Sequence, residues 1–352
     1  MVTLKTSKES NPLVSIIIPC QSIDDYAREC VAHCLRQTYK QIEVIVLPDF
    51  DSVSLPNCQV IPTGHVTPSI KRNIGVKHSK GQICAFVDSD AYPAKSWVER
   101  AVELLAGPDV VAVGGPGLTP KEDDTMQRAG GLILSSVAGG GRYSFRYASK
   151  STREVDELPS ANLFIRKGIL EHLGGFDPRY YPGEDSILCY QIVYEMKKKI
   201  LYDPRIIVYH HRRPLFVPHL RQIWRYGLDT GYQIRKRMPH QSGGAFRLLP
   251  SLFVLGLLLG FIVSLFNDTL RLIFFSVLSL YLFSAILASL GTGDFKLGLF
   301  VFIGLILTHL SYGTGFLRGL MTKTLEKPGE EVLREQFFTQ TQETAEAIRY
   351  KE

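Results

Sequence analysis

The hydrophobic pattern divides the chain in two. Up to about residue 213, short β-rich runs alternate with stretches of helical spacing. Val14–Ile18 is a run of β-branched residues that ends at Pro19. Ala27, Cys30, Val31, Cys34 and Leu35 then recur at the spacing of one helix face. Residues 44–47 predict a second strand, Ile70 and Ile74 mark a short helix, and Ile83–Val87 predicts a third strand. Trp97, Val98, Ala101, Val102 and Leu105 predict the next helix, and residues 110–113 a fourth strand. The strands are continuously apolar rather than alternating, so helices should cover both sheet faces. The fold class is therefore α/β, an open Rossmann-like sheet, and such sheets bind ligands at the carboxyl ends of their strands.

From residue 248 the pattern changes. Residues 248–266 and 272–290 are each 19 residues without a charge, and 297–317 is 21, interrupted by His309. A helix of that shorter length is roughly 28 Å long, against a hydrocarbon core of about 30 Å. The prediction is a membrane region over 248–320 with about three helices, at 248–266, 270–290 and 297–318. Asn267-Asp268-Thr269 would turn the first two into a hairpin. The second half of the third, from His309 to Gly315, is polar and rich in small residues, so that segment either spans or re-enters against the soluble domain. The remaining divisions are a polar N-terminal tail (1–12), a catalytic domain (13–213), a basic amphipathic interfacial segment (214–247) and a charged C-terminal tail (321–352). Asp123–Tyr147, with Gly139-Gly140-Gly141-Arg142, reads either as a lid or as an ordinary surface loop.

Charge sharpens this picture. The net charge is +6. Its basic excess is local: Arg221, Arg225, Arg235, Lys236, Arg237 and Arg247 lie just before the first apolar stretch, as on a cytoplasmic membrane flank. Arg318, Lys323 and Lys327 favour the same side for the tail, whereas three spans would put it opposite; both readings stand. No interleaving of basic and aromatic residues suggests nucleic acid. The polar first ten residues predict no signal peptide, which leaves the soluble part in the cytoplasm. The six cysteines form no Cys-x-x-Cys pair and read as buried free thiols.

Two acidic motifs carry the chemistry. Asp88-Ser89-Asp90 ends the strand 83–87, where paired carboxylates can hold a divalent metal against a diphosphate. Gly183-Glu184-Asp185 stands at the start of a predicted helix over 186–198, where an acid can serve as general base. A helix N-terminus should hold that acid ionised and so weaken it as a base. This describes a metal-dependent transferase using a nucleotide-activated donor.

The order of motifs resembles the family-2 glycosyltransferases, inverting enzymes of the GT-A fold. Val14–Pro19 is similar to the family's opening strand, Glu43–Asp49 to its second strand, and Arg72-Asn73-x-Gly75 to its arginine-asparagine segment. Phe86–Asp90 is similar to the metal motif. Pro159–Lys167, Gly174-Gly175-Phe176-Asp177 and Gly183-Glu184-Asp185 are similar to acceptor-side segments. The resemblance covers about residues 12–230. It implies Mg²⁺ or Mn²⁺ on Asp90, with Asp88 on the metal or the ribose, and Asp185 as base with Glu184 its rival. It implies a donor site at Pro19, Asp49, Arg72 and Asn73, with Asp49 accepting from the nucleobase. Pro48 replaces that residue's usual acidic neighbour, and a uridine donor is favoured. Lys71 and Arg72 either approach the diphosphate or lie on a solvated helix face. Ser160, Ala161, Asn162 and Gly183 would line the sugar and acceptor pocket. His210 or His211 would reach the metal or the leaving phosphate.

Gln222-Ile223-Trp224-Arg225-Tyr226 has the spacing of the Gln-x-x-Arg-Trp motif of processive synthases, with Tyr226 in place of tryptophan, and also reads as a headgroup-level anchor. The membrane part resembles succinoglycan-type enzymes that add single sugars, which carry a segment like His309-x-x-Tyr312-Gly313-x-Gly315-Phe316. The implied partners are a nucleotide sugar, a lipid-linked saccharide or polyprenyl-phosphate acceptor, and the cell membrane. A processive polysaccharide synthase and a non-catalytic membrane scaffold are the alternatives.

Overall fold

The structure, a computed structural model, describes residues 11–51, 53–236 and 248–324. Most of the expected N- and C-terminal tails, together with Arg237, Arg247 and Lys327, lies outside the described residues.

The chain opens with β1 (Val14–Pro19), α1 (Asp25–Leu35), β2 (Ile42–Leu47), β3 (Gln59–Val60), α2 (Pro68–His78), β4 (Ile83–Val87), β5 (Ala91–Pro93) and α3 (Trp97–Leu105). It continues through β6 (Val110–Gly114), β7 (Gly117–Leu118), α4 (Thr125–Ser135), α5 (Val137–Gly140), β8 (Arg153–Val155), β9 (Asn162–Arg166), α6 (Lys167–Leu173) and α7 (Glu184–Tyr190). β10 (Lys199–Tyr202), β11 (Val208–His210) and α8 (Val217–Arg235) follow. The last described elements are α9 (Leu249–Ser264), α10 (Asp268–Leu290) and α11 (Phe295–Met321).

Eight strands form the main sheet in the order β3-β2-β1-β4-β9-β6-β10-β8. β1 runs parallel to β2 and β4, so Pro19, Leu47 and Val87 end at one edge. The continuous apolar runs behave as expected. Ile16 and Ile18 enter one core cluster and Ile17 the other, and Ala85 and Phe86 divide in the same way. The sheet is mixed rather than purely parallel. β9 lies antiparallel between β4 and β6, with Val87 opposite Asn162. A small second sheet, β5-β11-β7, pairs His210 with Ala91 and so carries His210 to the Asp88–Asp90 turn.

Three expectations need correction. Asp123–Tyr147 is not an ordinary surface loop, the second of its two readings. It is α4, capped by an Asp124–Gln127 box, then α5, then a 3-10 turn over 141–146. The helix expected over 186–198 begins at Glu184 and passes into a π turn over Gln191–Glu195. The first apolar helix has 16 residues, about 24 Å, which is short for a span; α10 and α11, of 23 and 27 residues, are long and apolar enough to cross a membrane.

α11 is one continuous helix, and its polar half is explained by what it touches. Ala129 and Ile133 of α4 pack with Leu297, Val301 and Leu305 of α11. Further along, α11 meets α8 almost backbone to backbone. A Cβ on Gly227 or Gly231 would lie 2.2 Å from the carbonyl oxygen of Tyr312 or Phe316 respectively. One on Gly315 or Gly319 would lie 2.2 or 2.1 Å from that of Trp224 or Leu228. Two small-x-x-x-small pairs thus form one seam, the device by which apolar helices approach closely. Ser311 Oγ donates to the Leu220 carbonyl at 2.7 Å, and His219 and Thr308 pair at 3.0 Å, both across this contact. α8 is therefore docked on α11 and is not only an interfacial anchor. By contrast only 6% of the most apolar stretch of α10 is buried. So large an exposed apolar surface is compatible with membrane anchoring.

The seam predicts unequal glycines. Gly231→Ala should destabilise the protein by about 1–3 kcal/mol, as overpacking does, while Gly256→Ala, where nothing lies within 4 Å, should not lower the melting temperature. Thermal unfolding of both variants in detergent checks this.

Candidate active site

The site collects where the parallel strands end. β4 delivers Asp88 and Asp90, and the β5–β11 ladder delivers His210. Ligand atoms of Asp88, Asp90 and His210 all lie within 4.8 Å of one another, which fits the oxygen-rich donor set of a divalent cation. His210 Nε2 is 3.1 Å from Asp90 Oδ1. Burial alone would raise the Asp90 carboxyl, but His210 and Arg213 outweigh it and hold Asp90 at about 2. Arg212 sits 3.2 Å from His210 Nδ1. His211 is not part of this triad. Its ring nitrogens meet Asp123 at 2.5 Å and Glu29 at 2.9 Å, and these acids raise its pKa against its burial.

Arg72 connects the two acidic motifs. It is buried, 4% exposed. One terminal nitrogen donates to Glu184 Oε1 at 2.8 Å and the other to Asp88 Oδ1 at 3.0 Å. Lys71, next to it, is also buried. Its ammonium donates to Asp49 and to the carbonyls of Cys20 and Leu47 at the ends of β1 and β2. Neither residue lies on a solvated helix face. Asp49 also meets His65 Nδ1 at 2.9 Å.

Glu184 and Asp185 point apart. Glu184 turns inward to Arg72, where burial raises its carboxyl to about 7 even against that guanidinium. Asp185 accepts from the Ser160 amide at 3.1 Å and the Ser186 amide at 2.8 Å. Burial and then Glu157 raise its pKa, opposite to the depressed value expected of a helix N-terminus. Glu157 is held by Ser186 Oγ and by Arg146 at 3.1 Å. Glu157 and Arg146 belong to no motif, and sequence reading missed both.

A cavity of about 1710 Å³ joins these groups, larger than the 300–1,000 Å³ typical of one small ligand. Pro19, Asp49, Arg72, Gly183 and Asp185 line it at the strand ends. Gln222, Arg225 and Tyr226 line it along α8, so these three face a cavity rather than only headgroups. Trp224 stays outside, half-exposed. Asn73, Ala161 and Asn162 do not line the cavity. Asn73 clamps the chain at Phe176, accepting from its amide and donating to its carbonyl, both at 2.8 Å. Asn162 is 1% exposed and holds Trp97, Pro116 and Ile206. Both asparagines are structural ties, which corrects their assignment to the donor and acceptor pockets. Ser160 contributes through its amide to Asp185 rather than as a pocket wall.

Residues 15–174 match the model of glycosyl transferase family 2. The chain carries a glycosyl transferase family 2 domain. It is 27% identical over 195 residues to the glycosyltransferase AglE of Haloferax volcanii, covering 49% of this chain and 59% of that protein. It is 29% identical over 146 residues to the pre-mycofactocin glycosyltransferase of Mycobacterium tuberculosis, covering 42% of this chain and 30% of that one. The matches thus span less than two thirds of either relative. Among solved structures, a mannosyltransferase from Pyrobaculum calidifontis in complex with GDP-Man and Mn²⁺ superposes with a TM-score of 0.53. Identity is 15%, covering 89% of this chain and 88% of that one. The fold is GT-A.

The raised Glu184 carboxyl gives a signed pH prediction. Its folded value of about 7 lies above the ordinary 4.5, so its contribution to stability is full below about 4.5 and is lost as pH rises toward 7. Melting temperatures of wild type and Glu184→Gln, compared across that window, should show wild type losing stability relative to the variant.

Proposed function

We propose that the family 2 domain transfers a sugar from a nucleotide-diphosphate donor, with inversion, to a lipid-linked acceptor at the cytoplasmic face of a membrane that the apolar helices anchor it to. A single observation carries this reading. The Asp88–Asp90–His210 triad and Asp185 open into one cavity, and that cavity runs on to Leu249, Phe253 and Tyr312 of the apolar helices. The Mn²⁺ and GDP-Man of the Pyrobaculum structure and the family match support a nucleotide sugar and a divalent metal.

Asp90, Asp88 and His210 would hold Mg²⁺ or Mn²⁺. The ion, when bound, neutralises the charge of a leaving diphosphate. His210 would offer the ion one ring nitrogen, and Arg212, 3.2 Å from Nδ1, bears on which nitrogen is free to do so. Arg72 keeps Asp88 aimed by fixing one of its oxygens. Asp49, at the end of β2, accepts from the nucleobase, and a uridine donor suits it because uracil presents a ring N–H. Asp185 takes the proton of the acceptor hydroxyl as it attacks the anomeric carbon from the face opposite the diphosphate. Its raised pKa makes it a better base than an exposed aspartate. Because a phosphate nucleophile needs no such base, Asp185 favours a lipid-linked saccharide over a polyprenyl phosphate as acceptor.

Asp185→Asn should keep donor affinity near wild type and lower turnover by at least about 10², the low end of general-base effects. Donor binding by calorimetry and turnover by nucleotide release separate the terms. An equal loss of donor affinity would move Asp185 to the donor site, and an active Asp185→Asn beside a dead Glu184→Gln would exchange the two roles. Asp90→Ala should abolish manganese-dependent nucleotide binding; binding with unchanged manganese dependence would remove Asp90 from the metal site.

A further inference from the structure

The cavity changes sign along its length. At the strand ends its wall is acidic. On the α8 side it is lined by Arg213, Arg221 and Arg225. The other arginines that line it are engaged. Arg72 bridges Asp88 and Glu184, Arg142 meets Asp156, Arg146 meets Glu157, and Arg212 donates to the Gly117 carbonyl. Arg213 acts on Asp90, whereas Arg221 and Arg225 have no ion-pair partner among the described residues. Arg221 and Arg225 stand four residues apart and so share one helix face, where like charges repel. Two uncompensated guanidinium groups on one wall are the chemistry of an anion site, and guanidinium is suited to phosphate oxygens above other anions.

Two neighbours say where this anion lies. Gln233 of α8 donates to the Pro182 carbonyl at 3.2 Å, which holds the helix beside the Gly183-Glu184-Asp185 turn. Arg225 also acts, after Arg72, on the half-buried Tyr181 phenol, countering part of the rise that burial and Glu184 cause. The same cavity is also lined by Leu249, Pro250 and Phe253, with Tyr281, Thr308, His309 and Tyr312 beside them. One cavity thus has acidic, cationic and partly apolar walls.

We propose that Arg221 and Arg225 bind a phosphate or diphosphate carried by the acceptor lipid, with its chain along the walls that α9 and α11 give the cavity and its reacting end toward Asp185. This rests on the transfer reading above and adds the charge of the acceptor. The anion is lipid-borne because the same cavity carries apolar residues of α9, Leu249, Pro250 and Phe253.

The test uses the full chain in a neutral detergent with EDTA, so that no metal recruits diphosphate to the acidic triad. Three probes are titrated by calorimetry: geranylgeranyl diphosphate, geranylgeraniol and inorganic pyrophosphate. The lipid diphosphate should bind at least about tenfold more tightly than either of the others, the scale of one or two charge-assisted hydrogen bonds. Arg221→Gln with Arg225→Gln should abolish the preference over the alcohol, the double lysine variant should retain part of it, and manganese-dependent UDP binding should be unchanged in both. Equal binding of alcohol and diphosphate would overturn the proposal, as would a preference that survives the double glutamine variant. Pyrophosphate binding as tight as the lipid's would overturn the lipid-borne form. None of these readouts needs turnover, so a failure of the transfer reading is seen separately.

Discussion

A guanidinium buried to 4% exposure is costly unless its charge is matched. Arg72 donates to both Asp88 and Glu184, which is 112 residues away in the chain; Asp88 carries the matching charge, and Glu184 adds its own as pH rises through about 7. This three-member tie fixes how α2, the end of β4 and the start of α7 stand to one another. With Glu184 drawn inward, Asp185 is left turned toward the cavity, where the Ser160 amide fixes it. The bond from Arg72 holds the Asp88 carboxylate beside Asp90 and His210. The donor side and the acceptor side of the proposed site therefore share a single residue that needs to touch neither substrate.

A second constraint is the glycine seam. Gly227 and Gly231 of α8, with Gly315 and Gly319 of α11, allow backbone contact that no side chain would permit. The seam places the face of α8 that carries Gln222, Arg225 and Tyr226 on the cavity. It also brings α8 into direct contact with the apolar helix α11. The strand-end site and the walls that α9 and α11 contribute become one space because α8 and α11 meet without side chains between them.

Much of this was legible in the sequence because it depends on local pattern. Continuous apolar runs marked β1, β2, β4 and β6, and the acids that follow such runs had to emerge at the carboxyl edge. Asp49, Arg72, Asp88, Asp90, Glu184 and Asp185 do line one cavity. What escaped depends on long-range pairing. β9 is an apolar run like the others, and nothing local says that it inserts antiparallel between β4 and β6. Asn73 and Asn162 sit inside motifs, but whether a motif asparagine faces ligand or backbone is decided by Phe176, Trp97 and Ile206, far along the chain. The glycines of 130–141 suggested a loop, while packing of Ala129 and Ile133 on α11 makes α4 helical. The basicity of Asp185 was misjudged for a similar reason: the helix terminus is local, whereas burial and Glu157 are not.

The central claim is that Arg72 joins the two acidic motifs. A double-mutant cycle measures it directly, using Asp88→Asn and Glu184→Gln, singly and together, by chemical denaturation of the full chain in detergent. Residues that share one partner should couple by about 0.5–3 kcal/mol, and the coupling should vanish when Arg72 is replaced by Met. Additivity of the two substitutions in the presence of Arg72 would contradict the account.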